Sequence, residues 1–180
     1  MNLVINSDNL ETEKIQEFNS KVRAFLIDDN NNVLIANYGN VILLPGGSID
    51  KGETVQDAIL RELKEEVGAE YSLDELTFLN TIEYYQKDYP KRDGRLKNRL
   101  IKTHYFVGRY KGISQQSLTE KEQKDNFRLE LVPINTLEEL VLNNQNDNPR
   151  NMYFVKELLT ILEYYKQVYP KFPVKKRVLN

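Results

Sequence analysis

The chain has 180 residues, a length typical of one domain and sufficient to bury a core without disulfides. Hydrophobic residues make up 40% of it and charged residues 29%, which excludes a disordered or fibrous protein. With 25 basic and 27 acidic side chains the net charge is −2, which argues against nucleic-acid or anionic-membrane partners. Because there is no cysteine and one histidine, Cys-ligated zinc and thiol chemistry are excluded, and an oxygen-ligated cation is the metal to expect.

The apolar runs are too short for a membrane-spanning helix. The longest have four residues, among them Ala24 to Ile27 and Val41 to Leu44. The N-terminal segment carries Asp8, Glu11 and Glu13, where a secretory signal needs a basic start and an apolar stretch. We therefore expect a cytoplasmic protein without a membrane partner.

The first third of the chain has short apolar stretches separated by turn formers, the pattern of β-strands joined by tight turns. We predict three strands, Lys21 to Asp28, Val33 to Ala36 and Val41 to Leu44. The last one ends at Pro45-Gly46-Gly47. Thr54 is a candidate N-cap and Gly68 a stop signal, so a helix of about fourteen residues is expected between them.

The rest of the chain mixes strands and helices. Strands are predicted at Leu76 to Tyr85, Leu100 to Val107 and Phe127 to Ile134, and a polar, basic connection joins the first two. A capped helix is expected from Thr136, and a third helix from Asn148-Pro149 onward. Because the regular β-α-β alternation of a doubly wound sheet is missing, we expect an α+β fold or a mixed-sheet sandwich.

The segment Gly47 to Ala69 carries the most informative pattern. At about 100° per residue, Glu62, Glu65 and Glu66 fall on one side of the predicted helix, with Lys64 on the opposite side. Acidic residues on a helix usually form a solvated face. Here that interpretation fits poorly, because like charges at i and i+4 repel and acidic residues near a C-terminus oppose the helix dipole.

A divalent cation among the three carboxylates would offset their repulsion and the rise in pKa that partial burial causes. Oxygen ligands without cysteine or histidine suit Mg²⁺ or Mn²⁺. The turn Gly46-Gly47 ahead of the helix lets the backbone approach a ligand closely and offers carbonyl oxygens as further hard ligands. The segment therefore predicts a metal site.

The spacing of fixed residues in this segment resembles the signature of the Nudix hydrolases, the MutT-like superfamily. The pattern is Gly47-x5-Glu53-x7-Arg61-Glu62-Leu63-x-Glu65-Glu66-x-Gly68-Ala69, preceded by Leu44-Pro45-Gly46. Ala69 stands where the family usually has a larger aliphatic residue. Seven fixed residues at fixed spacing form a specific signal, and the surrounding strand and helix pattern extends the likeness over most of the chain.

The resemblance implies one domain over residues 1–180, with an N-terminal extension (1–18), the signature box (47–69) and a C-terminal helix (148–169). It implies a mixed β-sheet packed between helices, an α/β/α sandwich of the α+β class. Family members cleave a diphosphate linked to another moiety, usually a nucleoside, with Mg²⁺ or Mn²⁺, and they often pair as dimers. A homodimer is therefore one expectation for this chain.

The resemblance also assigns roles by position. Glu62, Glu65 and Glu66 would be the metal carboxylates, with the carbonyl of Gly46 as a further ligand. Arg61 would orient these carboxylates by charge-assisted hydrogen bonds, and Glu53 would support the loop or a second metal. The general base is left open between a glutamate of the box and Glu120 or Glu122, which precede the last predicted strand.

Basic residues are concentrated beyond the box. Residues 87–102 hold seven basic side chains against two aspartates, a net charge of +5, whereas the box carries −3. This contrast favours a polyphosphate substrate, although a solvated hairpin loop explains it equally well. The candidate substrate-binding residues are Arg23, Lys51, Arg95, Arg99 and Tyr85. Tyr85 would stack on a base, and for Arg23 a structural ion pair is an equal alternative.

The leading hypothesis is a metal-dependent pyrophosphohydrolase that acts on a nucleoside triphosphate or a derivative. The alternative within the same chemistry is hydrolysis of dinucleoside polyphosphates or of the 5′ end of RNA. The alternative of another class is a Nudix module that senses nucleotides without catalysis. The intact glutamates argue against this last hypothesis, since a binder has no need of three mutually repulsive carboxylates.

Overall fold

The computed structural model describes residues 2–39, 41–91, 93–124, 126–146 and 148–169. Within these ranges seven strands form one mixed sheet with helices on both faces. The strands are β1 (Leu3–Ile5), β2 (Glu17–Ile27), β3 (Asn32–Tyr38), β4 (Val41–Leu43), β5 (Leu76–Pro90), β6 (Leu96–Arg109) and β7 (Arg128–Pro133). The α-helices are α1 (Val55–Glu66), α2 (Glu120–Lys124), α3 (Leu137–Asn143) and α4 (Pro149–Val168).

The sheet divides between β2 and β3, and a loop fills the division. The strand order is β1-β5-β6-β2-β3-β4, with β7 paired to β3. In the described residues β2 and β3 are in register only at Ile27 and Val33, so they diverge towards the start of β2. There the loop after β4 takes the place of a strand, since the amides of Ala24 and Val22 donate to the carbonyls of Pro45 and Gly47, both at 3.0 Å.

Each face of the sheet has its own core, because side chains alternate along a strand. Phe25 and Ile27 of β2 pack on the face that α3 and α4 cover. The other face buries Val22, Ala24 and Leu26 together with Ala58, Ile59 and Leu63 of α1. Each fully buried aliphatic side chain contributes roughly 1.5–3 kcal/mol, which fixes α1 against β2. The predicted α+β sandwich is confirmed.

Several element bounds differ from the prediction. Helix α1 has twelve residues, and its N-cap is Thr54 as expected, with the hydroxyl accepting from the amide of Asp57. At the start of α3, by contrast, Thr136 makes no side-chain cap. Strand β1 was not predicted; it comes from the expected N-terminal extension and pairs in parallel with β5.

The largest difference concerns the basic connection after β5. The antiparallel ladder of β5 and β6 continues to Pro90 and Leu96, so most of residues 87–102 lie on strands and the turn is short. Cross-strand pairs stabilise this charged hairpin, such as the ion pair of Glu83 and Lys102 at 2.9 Å. Arg92 of the predicted basic segment lies outside the described residues. None of the helices in the described ranges is long and apolar enough to cross a membrane.

Candidate active site

Glycines allow the loop after β4 to fit between β2 and α1. Gly46 has a φ of +130°, and a Cβ at this position would collide with the carbonyl of Val22. A Cβ at Gly47 would overlap the carboxylate of Glu62. The backbone of this loop is therefore held directly against the acidic side of α1.

Glu66 is the most deeply buried carboxylate of α1, with 1% of its surface exposed. The amide of Gly46 donates to its Oε2 at 2.6 Å, and the hydroxyl of Tyr38 donates to its Oε1. Burial raises the pKa of Glu66 to about 7, although the Tyr38 and Gly46 hydrogen bonds and the charge of Arg23 lower it. In the described residues no basic side chain forms an ion pair with Glu66, so the charge of Arg23 acts on it without direct contact.

Arg61 connects the glutamates at the two ends of the box. Its Nε and Nη2 bind both oxygens of Glu53, at 2.8 and 2.9 Å. Its Nη1 donates to Glu62 at 2.8 Å and to Glu65 at 3.2 Å, and Nη2 also reaches the carbonyl of Ser48 at 3.0 Å. The hydrogen bonds that Arg61 donates to Glu53 lower the pKa of Glu53 to about 2 and raise the pKa of Arg61. The predicted orienting role of Arg61 thus has a geometric basis.

The three candidate metal carboxylates share one side of α1 but differ in exposure. Glu62 is 6% exposed and faces Gly47, whereas the side chain of Glu65 is 37% exposed. In this conformation no group of three His, Asp or Glu side chains in the described ranges converges as a ready-made metal site. The donor chemistry nevertheless fits a hard divalent cation, because oxygens of Glu62 and Glu65 lie within hydrogen-bond distance of one guanidinium nitrogen, and Glu66 is buried without an ion-pair partner among the described residues.

The family model of the NUDIX domain matches residues 17–157, which is more than half of the chain. The chain belongs to the NUDIX family. The resemblance carried by the box is thus confirmed, and with it the prediction of a Nudix-type hydrolase of phosphoric anhydride bonds. Enzymes of this family generally use a divalent metal.

Two named relatives illustrate the range of the match. The RNA pyrophosphohydrolase of Campylobacter jejuni subsp. jejuni serotype O:23/36 (strain 81-176) is 27% identical over 138 residues, which cover 71% of this chain and 75% of that protein. The 8-oxo-dGTP diphosphatase of Proteus vulgaris is 36% identical over 73 residues, which cover 37% of this chain and 61% of that protein.

Solved structures share the Nudix fold with this chain. The MutT protein from Methanosarcina mazei Go1 has a TM-score of 0.56 at 16% identity, over 89% of this chain and 100% of that one. The NUDIX domain of Shewanella oneidensis NrtR, complexed with ADP ribose, has a TM-score of 0.55 at 16% identity, over 89% and 94%. At such identities the likeness concerns the fold alone.

Arg23 binds the loop after β4 from the side opposite to α1. Its Nη1 donates to the carbonyls of Leu44 and Gly46, the latter at 3.2 Å, and the residue is 6% exposed. The structural alternative to substrate binding is therefore favoured for Arg23, although its partners are carbonyls and not the ion-pair partner that we expected. The carbonyl of Gly46, a candidate metal ligand, points towards this guanidinium.

The other candidate substrate residues lie apart from the carboxylates. Arg99 is buried, donates to Gln86 and covers the ring of Tyr89, and its register partner on β2 is Glu17. This register places Arg99 about 20 Å along the strands from Arg23. Arg95 pairs with Asp93 in the turn of the hairpin, Tyr85 lies half-buried on β5, and Lys51 is exposed in the turn before α1.

The candidate bases before β7 lie on the short helix α2. Glu120 is exposed there and lies 3.8 Å from Lys124. The side chain of Glu122 lies outside the described residues. His104 shares a hydrogen bond of 2.9 Å with the hydroxyl of Thr81 on the neighbouring strand.

The residues that contact the C-terminal end of α1 were not predicted from the sequence. The amides of Ser114 and Ser117 donate to the carbonyls of Val67 and Glu65, at 3.0 and 2.8 Å, and the side chain of Gln116 donates to the carbonyl of Glu66. This segment thus satisfies carbonyls that a helix C-terminus leaves without partners. Tyr38 was missed as well. These residues lie 28 to 52 positions from their partners and belong to no local motif.

Proposed function

We propose that this Nudix hydrolase is a Mg²⁺- or Mn²⁺-dependent pyrophosphohydrolase that cleaves a nucleoside diphosphate linked to another moiety, by attack of water on phosphorus. One observation carries the proposal. The carboxylates of Glu62 and Glu66 are buried beside each other on α1, against a loop whose glycines leave no room for side chains. Arg61 pairs with Glu62, but an ionised Glu66 buried beside Glu62 is unfavourable unless a further cation joins the two, so this arrangement is typical of a metal site and not of a solvated acidic face.

Glu62, Glu65 and Glu66 would hold the cation, with the carbonyl of Gly46 as a further candidate. When bound, such a cation neutralises charge on the diphosphate oxygens and lowers the pKa of a coordinated water. The contribution of Arg61 is positional, since it is hydrogen-bonded to Glu62 and Glu65 and anchored by Glu53.

The turn before α1 offers one exposed basic side chain to substrate phosphates. Lys51 is exposed in the turn before α1, and we assign it to the substrate. Arg95 and Tyr85 belong to the distant hairpin and would contribute only to a substrate that extends along it. Arg99 is also part of this hairpin, and because it is buried we assign it only a secondary role in substrate binding.

Hydrolysis of the 5′ end of RNA is the second candidate function. It is favoured by the similarity to a relative named RNA pyrophosphohydrolase and by the net charge of +5 over residues 87–102. A non-catalytic sensor is the third. The NUDIX domain of NrtR shares the fold and is complexed with ADP ribose, but the complete set of box glutamates argues for catalysis.

The test is a substrate panel with Mg²⁺ and with Mn²⁺. It contains nucleoside di- and triphosphates, sugar nucleotides, dinucleoside polyphosphates and a 5′-triphosphorylated RNA. The proposal expects metal-dependent release of a nucleoside monophosphate and a phosphate-containing product. Preference for the RNA, together with loss of that preference in Arg95→Ala, would select the second function. Binding of nucleotides without turnover on any substrate would select the sensor.

A further inference from the structure

Tyr38 lies on β3 and contacts α1 across the division between β2 and β3. It is the last residue of β3, and its hydroxyl donates to Oε1 of Glu66. The other carboxylate oxygen accepts from the amide of Gly46 at 2.6 Å. Glu66 is thus held by two separate elements, the strand β3 and the loop after β4.

These two hydrogen bonds leave lone pairs of the Glu66 carboxylate available to a cation. An ionised carboxylate has about four lone-pair sites on its two oxygens, so one donor on each oxygen leaves a lone pair free on each. Because the side chain of Glu66 is almost completely buried, the two donors also limit which way the remaining lone pairs face. Orientation of a ligand by a hydrogen-bonding neighbour is a general feature of protein metal sites.

The ring of Tyr38 is itself fixed. Phe127 packs against it edge to face, with ring centroids 4.9 Å apart and an interplanar angle of 65°. The antiparallel register of β3 and β7 pairs Asn37 with Arg128, which brings the next residues, Tyr38 and Phe127, side by side. The hydroxyl is therefore carried by a rigid sheet element and not by a mobile loop.

We propose that Tyr38 is a positioning residue of the metal site, whose hydroxyl holds the Glu66 carboxylate in the orientation that binds the divalent cation. This inference rests on the proposed function. Tyr38 does not need to touch the substrate, since it acts through Glu66. Its removal should weaken metal binding more than it slows the reaction once metal is saturating.

The experiment compares Tyr38→Phe with Tyr71→Phe and Glu66→Gln in the full chain. Tyr71 is a suitable control because it is buried on the α1 side, where its hydroxyl donates to the carbonyl of Arg109 at 2.9 Å. The measurements are the Kd of Mn²⁺ by calorimetry, the melting temperature, and kcat as a function of metal concentration. All three substitutions keep the side-chain volume nearly constant.

For Tyr38→Phe we expect the Kd of Mn²⁺ to rise roughly 10- to 100-fold, and kcat at saturating metal to stay within a few-fold of the wild type. Tyr71→Phe should bind Mn²⁺ as the wild type does. Wild-type metal affinity in Tyr38→Phe, combined with weakened affinity in Glu66→Gln, would overturn the inference and leave the proposed function intact. If Glu66→Gln also binds metal normally, the metal assignment itself fails and the inference fails with it.

Discussion

The glutamate just before α1 and the glutamate at its end have opposite electrostatic environments. Before the helix, Glu53 forms a bidentate ion pair with Arg61 that lowers the pKa of Glu53 to about 2. At the end of the helix, Glu66 is buried with hydrogen-bond donors but no ion-pair partner in the described residues, and its pKa is raised to about 7. The first arrangement is electrostatically complete and holds the loop. In the second, burial disfavours the ionised form of Glu66, and this is where an added cation would be stabilising.

The largest change in turnover is expected for Glu66→Gln. The substitution keeps the volume and helix propensity but removes one charge from the cluster. Turnover should fall by orders of magnitude, because a metal contributes several kcal/mol of transition-state stabilisation and each ~1.4 kcal/mol is a factor of ten. The metal-free protein should be equally stable or slightly more stable, since repulsion with Glu62 is relieved. Hydrolysis assays and melting temperatures with and without Mg²⁺ measure both effects.

Glu70→Gln is the matched control, because Glu70 is exposed just beyond the helix and pairs with Lys64 at 2.9 Å. It should change neither turnover nor the response to Mg²⁺. A Glu66→Gln protein with wild-type activity and an unchanged Mg²⁺ response would remove Glu66 from the metal site.

Replacing Arg61 by lysine tests the connection between the two ends. Lysine keeps the charge but cannot bind Glu53 through two nitrogens while also reaching Glu62 and Glu65. We expect a loss of about 1–3 kcal/mol in the free energy of unfolding, from charge-assisted hydrogen bonds that are partly shielded from water. Turnover should fall as well, by less than in Glu66→Gln. Denaturant unfolding and a kinetic assay on the same preparation would check this.

The alternative outcome for Arg61→Lys separates its two functions. If stability falls while turnover is unchanged, Arg61 holds the loop but does not orient the carboxylates. Arg109→Lys is the control, because Arg109 forms an exposed ion pair with Asp29 on the surface, where such pairs contribute little.

The features within α1 were more predictable from the sequence than the contacts that its C-terminal end makes with other elements. The N-cap at Thr54 and the shared side of Glu62, Glu65 and Glu66 follow from local spacing, because a helix repeats every 3.6 residues. Tyr38 and Gln116 could not be predicted in the same way. Their contacts with Glu66 arise only when β3 and the segment before β7 fold beside the helix, and one sequence holds no local signal for such pairings.

The β5–β6 hairpin shows a second limit of sequence reasoning. Residues 86–99 are rich in charge and were expected to form a connection between two strands, but the ladder continues through them because long charged side chains pair or stack across strands. Composition predicts exposure here and does not predict the backbone conformation. Arg99 illustrates the point, because a residue expected to face substrate is buried against Tyr89.

The smallest expected effect is the pH dependence of the Glu53–Arg61 pair. The folded-state pKa of Glu53, about 2, lies below its ordinary value of 4.5, so the pair stabilises the folded state above pH 4.5 and loses that contribution as the pH falls towards 2. Glu53→Gln lacks this titration. It should be less stable than the wild type at pH 7 by on the order of 1 kcal/mol, a value reduced by solvent screening, and the difference should shrink as the pH approaches 2. Urea unfolding of both proteins at pH 7, 5 and 3 isolates the pair, because the other carboxylates titrate alike in both. A difference that stays constant over this range would mean that Glu53 contributes through packing and not through its charge.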